Sequence, residues 1–111
     1  MADPFLRTGP AGLLVTVTVR YFAAARAAAG VPEELLTLTG SADLSGSPIG
    51  GALPEITVAM VLAEAADRHG AGLARVLQRC SYLLDEVAVH GAETVVRDGQ
   101  VLDVLPPFAG G

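Results

Sequence analysis

The clearest pattern in the chain is a strict alternation of apolar and polar residues near its start. Within residues 14–22, apolar and polar side chains alternate from Val15 to Tyr21. Alternation with a period of two predicts a β-strand that buries one face. The buried face would carry Val15, Val17, Val19 and Tyr21, and the other face Thr16, Thr18 and Arg20.

The next two segments predict a short helix and a second strand. Residues 23–29 are rich in alanine, the best helix former, and Gly30 and Pro32 follow them. Glycine readily takes the left-handed conformation that ends a helix, and proline blocks its continuation. Residues 34–39 contain leucines and a β-branched threonine, which favour a return strand.

Apolar residues return with helical spacing in the middle of the chain. Thr57 is placed to cap a helix that would end at Gly70, and a second, shorter helix is predicted after Gly72. Each helix has a single apolar stripe, so both should lie on a sheet. The stripes consist of Val58, Val61, Leu62 and Ala65 in the first helix and of Leu73, Val76, Leu77 and Cys80 in the second.

Three short β-prone runs complete the folded part of the chain. Turn signals separate them, and Asp98-Gly99 is the strongest of these. The runs are Leu84–His90, Glu93–Arg97 and Val101–Leu105. Strands at both ends with helices between them predict an α+β domain, which we assign to residues 13–105: a mixed sheet of about five strands covered on one face by helices.

Segments without periodicity flank or interrupt this domain. Residues 1–12 predict a flexible N-terminal leader, and the Gly/Pro-rich residues 40–54 predict a long surface loop. Residues 106–111 predict an extended tail, because Pro106-Pro107 favours a polyproline conformation. At roughly 3.1 Å per residue, this tail would reach on the order of 19 Å from the body.

Composition narrows the class of protein. The chain has 111 residues, of which 51% are hydrophobic and 17% charged, as expected for one globular domain. No apolar run is long enough to cross a bilayer, the first residues lack a secretory signal, and a single cysteine forms no internal disulfide, so we expect a cytoplasmic protein. The net charge of -5 argues against nucleic acid and membrane surfaces as partners.

The reactive side chains within the domain are better explained as structure. Cys80 lies on an apolar stripe, where a buried structural thiol is expected. His69 and His90 are expected at the surface, and no spacing of His and Cys suggests a metal site. Asp85 and Glu86 would face opposite sides at a strand start, so they form no acid–base pair. The chain also has no lysine, which excludes Schiff-base chemistry.

The C-terminal tail is the remaining candidate site. Gly110 and Gly111 lack Cβ atoms, so their backbone can pass through a narrow channel and present only the terminal carboxylate. A carboxylate is a poor electrophile, but adenylation with ATP would convert it to an acyl adenylate that sulfur can attack, leaving a thiocarboxylate. The chain would then supply the reacting group and a partner the catalysis.

Two segments together resemble a known family. Residues 98–111 (DGQVLDVLPPFAGG) look like the end of the molybdopterin synthase small subunit family (MoaD-like), which is also similar to thiamine-pathway sulfur carriers and ubiquitin. Residues 17–26, followed by Gly30, are similar to the first strand of that family and its Phe-Ala-x-x-Arg segment. The resemblance covers residues 14–111 and implies a ubiquitin-like β-grasp fold.

The resemblance also implies a sulfur carrier that is not an enzyme by itself and binds no cofactor. An E1-like enzyme would use ATP to adenylate Gly111, and a sulfurtransferase or cysteine desulfurase would supply sulfur. The thiocarboxylated tail would enter the large subunit of molybdopterin synthase and donate sulfur to the molybdopterin precursor. The residues expected to contact partners are Leu105, Pro106, Pro107, Phe108, Ala109 and Gly110.

Three alternatives remain open from the sequence. The chain could carry sulfur for thiamine, cysteine or another sulfur metabolite with the same tail chemistry. It could be a ubiquitin-like modifier joined through Gly111 to lysines of other proteins, although a chain without lysine cannot build lysine-linked polymers on itself. It could also be a binding module with an inert tail.

Overall fold

The computed structural model describes residues 14–39 and 55–107. The expectations for the N-terminal leader, for the loop at 40–54 and for residues 108–111 lie outside this part of the chain. The elements within it are β1 (Leu14–Tyr21), α1 (Ala23–Ala29), β2 (Glu33–Thr39), β3 (Ile56–Thr57), α2 (Val58–His69), α3 (Ala71–Leu77), β4 (Ser81–Leu84), β5 (Val87–Ala88), β6 (Val95–Val96) and β7 (Val101–Leu105).

Five of these strands form one mixed sheet in the order β2-β1-β7-β4-β5. β1 and β7 run parallel, while the other neighbouring pairs are antiparallel. β3 and β6 pair separately as a two-stranded sheet. The prediction of an α+β domain with a mixed sheet of about five strands is confirmed.

One hydrophobic core joins the sheet to the helices. The apolar side chains that the alternation places on one face of β1 are all buried, as are Leu102 and Val104 of β7. They form a single cluster with buried residues of all three helices, among them Ala25, Val61 and Leu73. The helices therefore cover one face of the sheet, as predicted, and the polar residues of β1 lie on the other face.

The sequence signals at the helix ends are confirmed for α1 and α2. Gly30 ends α1 in the left-handed conformation, with φ of 82°, and its N–H donates to the carbonyl oxygen of Arg26 at 2.9 Å. The hydroxyl of Thr57 accepts a hydrogen bond from the N–H of Met60 at 3.3 Å and caps α2. The last residue of α2 is followed by Gly70, where φ is 95°.

The predicted extent of α3 is wrong at both ends. The helix begins at Ala71, before Gly72, and ends at Leu77. Cys80 therefore lies beyond the helix instead of on its stripe. The N–H of Cys80 donates to the carbonyl oxygen of Leu77 at 3.2 Å, in a turn that leads to β4. Because such a turn also repeats every three residues, its apolar side chains mimic helical spacing.

The single strand predicted at Leu84–His90 is wrong, because this stretch is a hairpin. Asp85 and Glu86 form the two-residue turn between β4 and β5 instead of the start of a strand. Both have positive φ, 49° and 70°, which suits the twist of paired strands. Since neither is glycine or asparagine, the sequence lacks the usual turn signal.

The turn at Asp98-Gly99 is confirmed, but it connects two different sheets. Gly99 has φ of 88°, and the N–H of Gln100 donates to the carbonyl oxygen of Arg97 at 3.2 Å. The strand before the turn, β6, is only two residues long and pairs with β3. The strand after it, β7, pairs with β1 and β4. The turn therefore changes sheets and does not close a hairpin.

A hydrogen-bond network fixes the end of α2 to the sheet. The carboxylate of Glu34 on β2 accepts a hydrogen bond from the Tyr21 hydroxyl at 2.6 Å and lies 2.7 Å from Nε2 of His69. The rings of Tyr21 and His69 meet edge to face, with centroids 6.0 Å apart. His69 is thus mostly buried, contrary to the expectation of a surface residue, whereas His90 is exposed as expected.

Both tyrosines of the chain should stay neutral in the folded protein at pH values where free tyrosine ionises. Burial is the main cause that raises the pKa of Tyr82 from 10.0 to about 12. Burial, followed by the hydrogen bond to Glu34, raises the pKa of Tyr21 as well. Because these folded-state values lie above the unfolded ones, their contribution to stability is complete below pH 10 and is lost as the pH rises through the folded pKa.

Alkaline titration of tyrosinate absorbance, with circular dichroism in parallel, measures this effect. We expect no ionisation step near pH 10 and a late rise that coincides with loss of the fold. A tyrosine that ionises at its ordinary pKa while the circular dichroism is unchanged would contradict the packing described for Tyr21 and Tyr82.

Replacement of the capping residue of α2 should lower stability by a predictable amount. Thr57→Ala removes the acceptor for the Met60 N–H, so we expect the free energy of unfolding to fall by about 1 kcal/mol. Thr57→Ser keeps a hydroxyl and is the matched control. Urea unfolding measures both variants, and equal stability of Thr57→Ala and the parent chain would show that this hydrogen bond does not contribute.

Candidate functional site

The strand that leads to the C-terminal tail lies at the centre of the five-stranded sheet. β7 pairs with β1 on one side and with β4 on the other, with Val104 opposite both Tyr21 and Tyr82. The side chains of Leu102 and Val104 point into the core and are fully buried. β7 is therefore held by two neighbouring strands and by the core, which gives the tail a fixed starting point.

The sheet ends at Leu105, immediately before the predicted start of the tail at Pro106. Leu105 is half-buried and lies opposite Ser81 of β4, Pro106 is buried and Pro107 is exposed. Proline has no N–H to donate, so a strand ladder cannot continue through this pair. Pro106 is buried, so Pro107 is the first exposed residue after β7 in the part of the chain that the structure describes.

Among the predicted contact residues, the structure places Leu105, Pro106 and Pro107 together at the end of β7. Their role in partner binding stays a prediction. The predicted site residues Phe108, Ala109, Gly110 and Gly111 lie outside the described part of the chain.

Phe22 lies beside the root of the tail, by which we mean residues 105–107. Phe22 belongs to the segment that resembles Phe-Ala-x-x-Arg but is not among the contact residues predicted from the sequence. Its N–H donates to the carbonyl oxygen of Val104 at 3.2 Å, across the ends of β1 and β7. Its side chain is 42% exposed, which is high for a phenylalanine in a folded domain. Besides that resemblance, the signal in the sequence is that Phe22 follows buried Tyr21 at the end of β1, where alternation turns it away from the core.

A charged pair lies on the face of the sheet opposite the helices, next to the root of the tail. Nε and Nη2 of Arg20 donate to the two carboxylate oxygens of Asp103 at 2.5 and 2.9 Å. The hydrogen bond and the charge of Asp103 raise the pKa of the Arg20 guanidinium. The side chain of Asp103 is only 7% exposed. The sequence predicts neither contact because it does not reveal which residues of β1 and β7 face each other.

The start of β7 is held by two carboxylates from neighbouring turns. Asp85 exchanges hydrogen bonds with the backbone of Val101, its Oδ1 accepting at 2.9 Å and its N–H donating at 2.8 Å. Oδ1 of Asp98 accepts the N–H of Thr16 on β1 at 2.8 Å. These contacts explain how Asp85 is accommodated in its left-handed turn.

The face of the sheet opposite the helices is open among the described residues. Leu14 and Leu35 lie on it and are 61% and 65% exposed. Half-buried Leu83, Val101 and Leu105 lie on the same face by their positions in the register. An open sheet face with several apolar side chains offers a contact surface next to the tail.

The cysteine has the properties of an unreactive thiol. Sγ of Cys80 donates to the carbonyl oxygen of Val76 at 3.2 Å, and burial raises the pKa of the thiol. Since the thiolate is the nucleophile, a raised pKa lowers reactivity at neutral pH. Cys80 lines an open groove of about 300 Å³ together with Val58 and Leu62.

Two further features are absent from the described residues. No group of three or more His, Cys, Asp or Glu side chains in residues 14–39 and 55–107 is arranged to hold a metal ion. None of the helices in the same residues has the length and hydropathy needed to span a bilayer.

Sequence comparison identifies one family. The sequence profile of the ThiS family matches residues 52–111, which is more than half of the chain and includes the tail. A search of curated proteins by sequence finds no match.

Three of the solved structures with similar folds come from archaea. Molybdopterin converting factor subunit 1, as the Pyrococcus furiosus protein is described, is 25% identical, with a TM-score of 0.59 over 85% of this chain and 99% of that one. Small archaeal modifier protein 1 of Methanosarcina acetivorans is 25% identical, with a TM-score of 0.65 over 90% and 100%. SAMP1 of Haloferax volcanii, at 19% identity, has a TM-score of 0.66 over 86% and 99% and shows the fold alone.

The family match and the fold lead to one conclusion. The fold, a mixed sheet with helices on one face and the first and last strands of the domain in parallel, aligns with that of these structures over 85–90% of this chain. The resemblance to molybdopterin synthase small subunits seen in the sequence is confirmed at this level. The chain belongs to the ThiS family and has the ubiquitin-like β-grasp fold of sulfur carriers.

Proposed function

We propose that this chain is the small, sulfur-donating subunit of a molybdopterin synthase. Its reacting group is the C-terminal carboxylate of Gly111, carried as a thiocarboxylate. The observation that carries the proposal is the ThiS family match, which includes both β7 and the Gly110-Gly111 motif. The likeness to the Pyrococcus furiosus protein, described as a molybdopterin converting factor subunit, favours molybdopterin as the product.

The proposed reaction uses ATP that is bound by a partner. The Gly111 carboxylate attacks the α-phosphorus of ATP in an E1-like enzyme, which forms an acyl adenylate and releases pyrophosphate. Sulfide, or the outer sulfur of a persulfide on a sulfurtransferase or cysteine desulfurase, then attacks the carbonyl carbon and AMP leaves. After attack by a persulfide, a thiol must cleave the resulting S–S bond to leave the thiocarboxylate.

The body of the protein contributes position and contact surface to this chemistry. β7 fixes the start of the tail at the centre of the sheet, and Pro106-Pro107 limits the conformations of its first residues. Phe22 and Leu105 provide apolar contacts next to the root. A tail positioned in this way enters the active sites of the E1-like enzyme and of the large synthase subunit with less loss of conformational entropy.

A second candidate function is supported by one specific likeness. The Methanosarcina acetivorans structure, at the same 25% identity and a higher TM-score, is described as a small archaeal modifier protein. A modifier would use the same adenylate of Gly111 but transfer the carbonyl carbon to a lysine of another protein. The two functions therefore differ in the nucleophile that accepts the activated tail. Sulfur donation in the thiamine pathway or to another metabolite differs only in the final acceptor.

Loading of the tail should be visible as a change in mass. After incubation with ATP, sulfide and the E1-like enzyme of the source organism, we expect the intact mass to change by the replacement of one oxygen with sulfur, located at Gly111 by fragmentation. A chain without Gly111 should not be loaded. Cys80→Ser is the matched control and should be loaded like the parent chain. The Cys80 thiol donates a hydrogen bond to the carbonyl oxygen of Val76 and takes no part in the proposed reaction. Sulfur found at Cys80 would contradict the proposal.

Transfer from the loaded chain should distinguish the two candidates. Mixed with the large subunit of molybdopterin synthase and the molybdopterin precursor, the thiocarboxylated chain should lose its sulfur, regain the mass of the carboxylate and produce a dithiolene product. A modifier would instead appear in isopeptide bonds between Gly111 and lysines of other proteins. Such conjugates without any dithiolene product would favour the modifier and contradict the synthase assignment.

A further inference from the structure

The Arg20–Asp103 pair joins the two parallel strands of the sheet just before the tail. Arg20 and Asp103 are direct partners in the register of β1 with β7. Two hydrogen bonds, at 2.5 and 2.9 Å, connect the planar guanidinium to both oxygens of the carboxylate. Asp103 is nearly covered, while the Arg20 side chain is 40% exposed. Asp103 stands two positions before Leu105, the last residue of β7.

A contribution to stability is, by itself, a weak explanation for the presence of this ion pair. The nearly covered carboxylate of Asp103 loses hydration in this pair, and apolar residues of similar volume often stabilise a fold equally well. Apolar contacts, however, tolerate small changes in the direction of one strand relative to its neighbour. A bidentate pair requires both planar groups to be aligned, so it forms in one register and one orientation of the two strands.

The apolar residues of β7 do not fix its register along β1 by themselves. A slip of one residue would turn Leu102 and Val104 out of the core, which is strongly unfavourable. A slip of two residues would keep every side chain of β7 on its present face. In that case Arg20 would face an apolar residue, either Val101 or Leu105, and the Asp103 carboxylate would lose its cation. The charged pair, together with the contacts of Asp85 and Asp98 at the start of the strand, therefore opposes the slip that the apolar pattern permits.

Register at the end of β7 determines how far the tail reaches. The start of the strand is held by Asp85 and Asp98, whereas the Arg20–Asp103 pair acts near its end. A shift of two residues moves the tail by about 6.6 Å, at about 3.3 Å per residue. Since a misplacement of about 1 Å in an active site can lower a rate about 100-fold, much smaller shifts also matter.

We propose that the Arg20–Asp103 pair positions the tail for reaction: it fixes the register and direction of the end of β7 and thereby the place of the Gly111 carboxylate in the active site of the adenylating partner. This inference rests on the proposed function of Gly111. Neither Arg20 nor Asp103 contacts the reacting atoms in this proposal, so both are positioning residues.

The experiment compares Arg20→Leu, Asp103→Leu, the double variant and Arg20→Lys with the parent chain. Thermal unfolding gives stability, and kcat and KM are measured for ATP-dependent loading by the E1-like enzyme with sulfide. Thr18→Val, on the same face of β1, is the matched control because it leaves the pair intact. It should have the kcat and KM of the parent chain.

Tm and kcat should respond differently in the double variant. Arg20→Leu leaves an unpaired, covered carboxylate, so we expect both a lower Tm and a kcat at least about 10-fold lower. The double variant should regain the Tm of the parent chain, because no charge is left unpaired, while its kcat stays at least about 10-fold lower with little change in KM. Arg20→Lys keeps the charge but not the bidentate geometry and should give an intermediate kcat.

Other results overturn the inference in distinguishable ways. A double variant that regains both Tm and kcat would show that the pair has only a structural role. If the parent chain is loaded at Gly111 and every variant is loaded at the same rate, the proposed function stands and the positioning role is wrong. If the parent chain is not loaded, both fail. Should Arg20→Leu not fold, Arg20→Lys and the double variant decide the question.

Discussion

The pairing of β7 with strands on both sides is the constraint on which the rest of the structure depends. β1 holds it in parallel and β4 in antiparallel register, and the buried side chains of Leu102 and Val104 fix it to the core beneath. A strand at the edge of a sheet can fray, but a central strand moves only if the core moves with it. The residues that follow β7 therefore start from a point as rigid as the domain itself.

The potentially reactive side chains described in the folded domain are paired or buried. Burial raises the pKa of the Cys80 thiol, the carboxylate of Asp103 is bound by Arg20, and Glu34 is occupied by Tyr21 and His69. Side chains that are paired or protonated do not compete as nucleophiles. This agrees with a protein whose reacting group is at the end of its tail and whose catalysis is supplied by partners.

Sequence reasoning succeeded where a pattern is contained within one element. The alternation in β1 and the cap and stop of α2 each depend on neighbours in the chain, so the sequence predicts them correctly. The hairpin at Asp85-Glu86 was missed because two residues other than glycine adopt positive φ there.

Those patterns do not predict contacts between residues that are far apart in the sequence. The pairing of β6 with β3, the burial of His69 against Glu34 and the Arg20–Asp103 pair all depend on strand register or on helix placement, which no local periodicity reveals. The role of the Gly110-Gly111 motif is predicted from chemistry that needs no tertiary context, and the motif lies within the residues that the ThiS family profile matches.

The central claim is that sulfur is carried on the last carbonyl of the chain and nowhere else. The most direct measurement is carbon NMR of protein labelled with ¹³C at the carbonyl carbons of its glycines, before and after reaction with ATP, sulfide and the E1-like enzyme. The account predicts that the Gly111 resonance alone moves to the position of a thiocarboxylate. An unchanged Gly111 resonance, in a protein that has nevertheless gained sulfur, would contradict it.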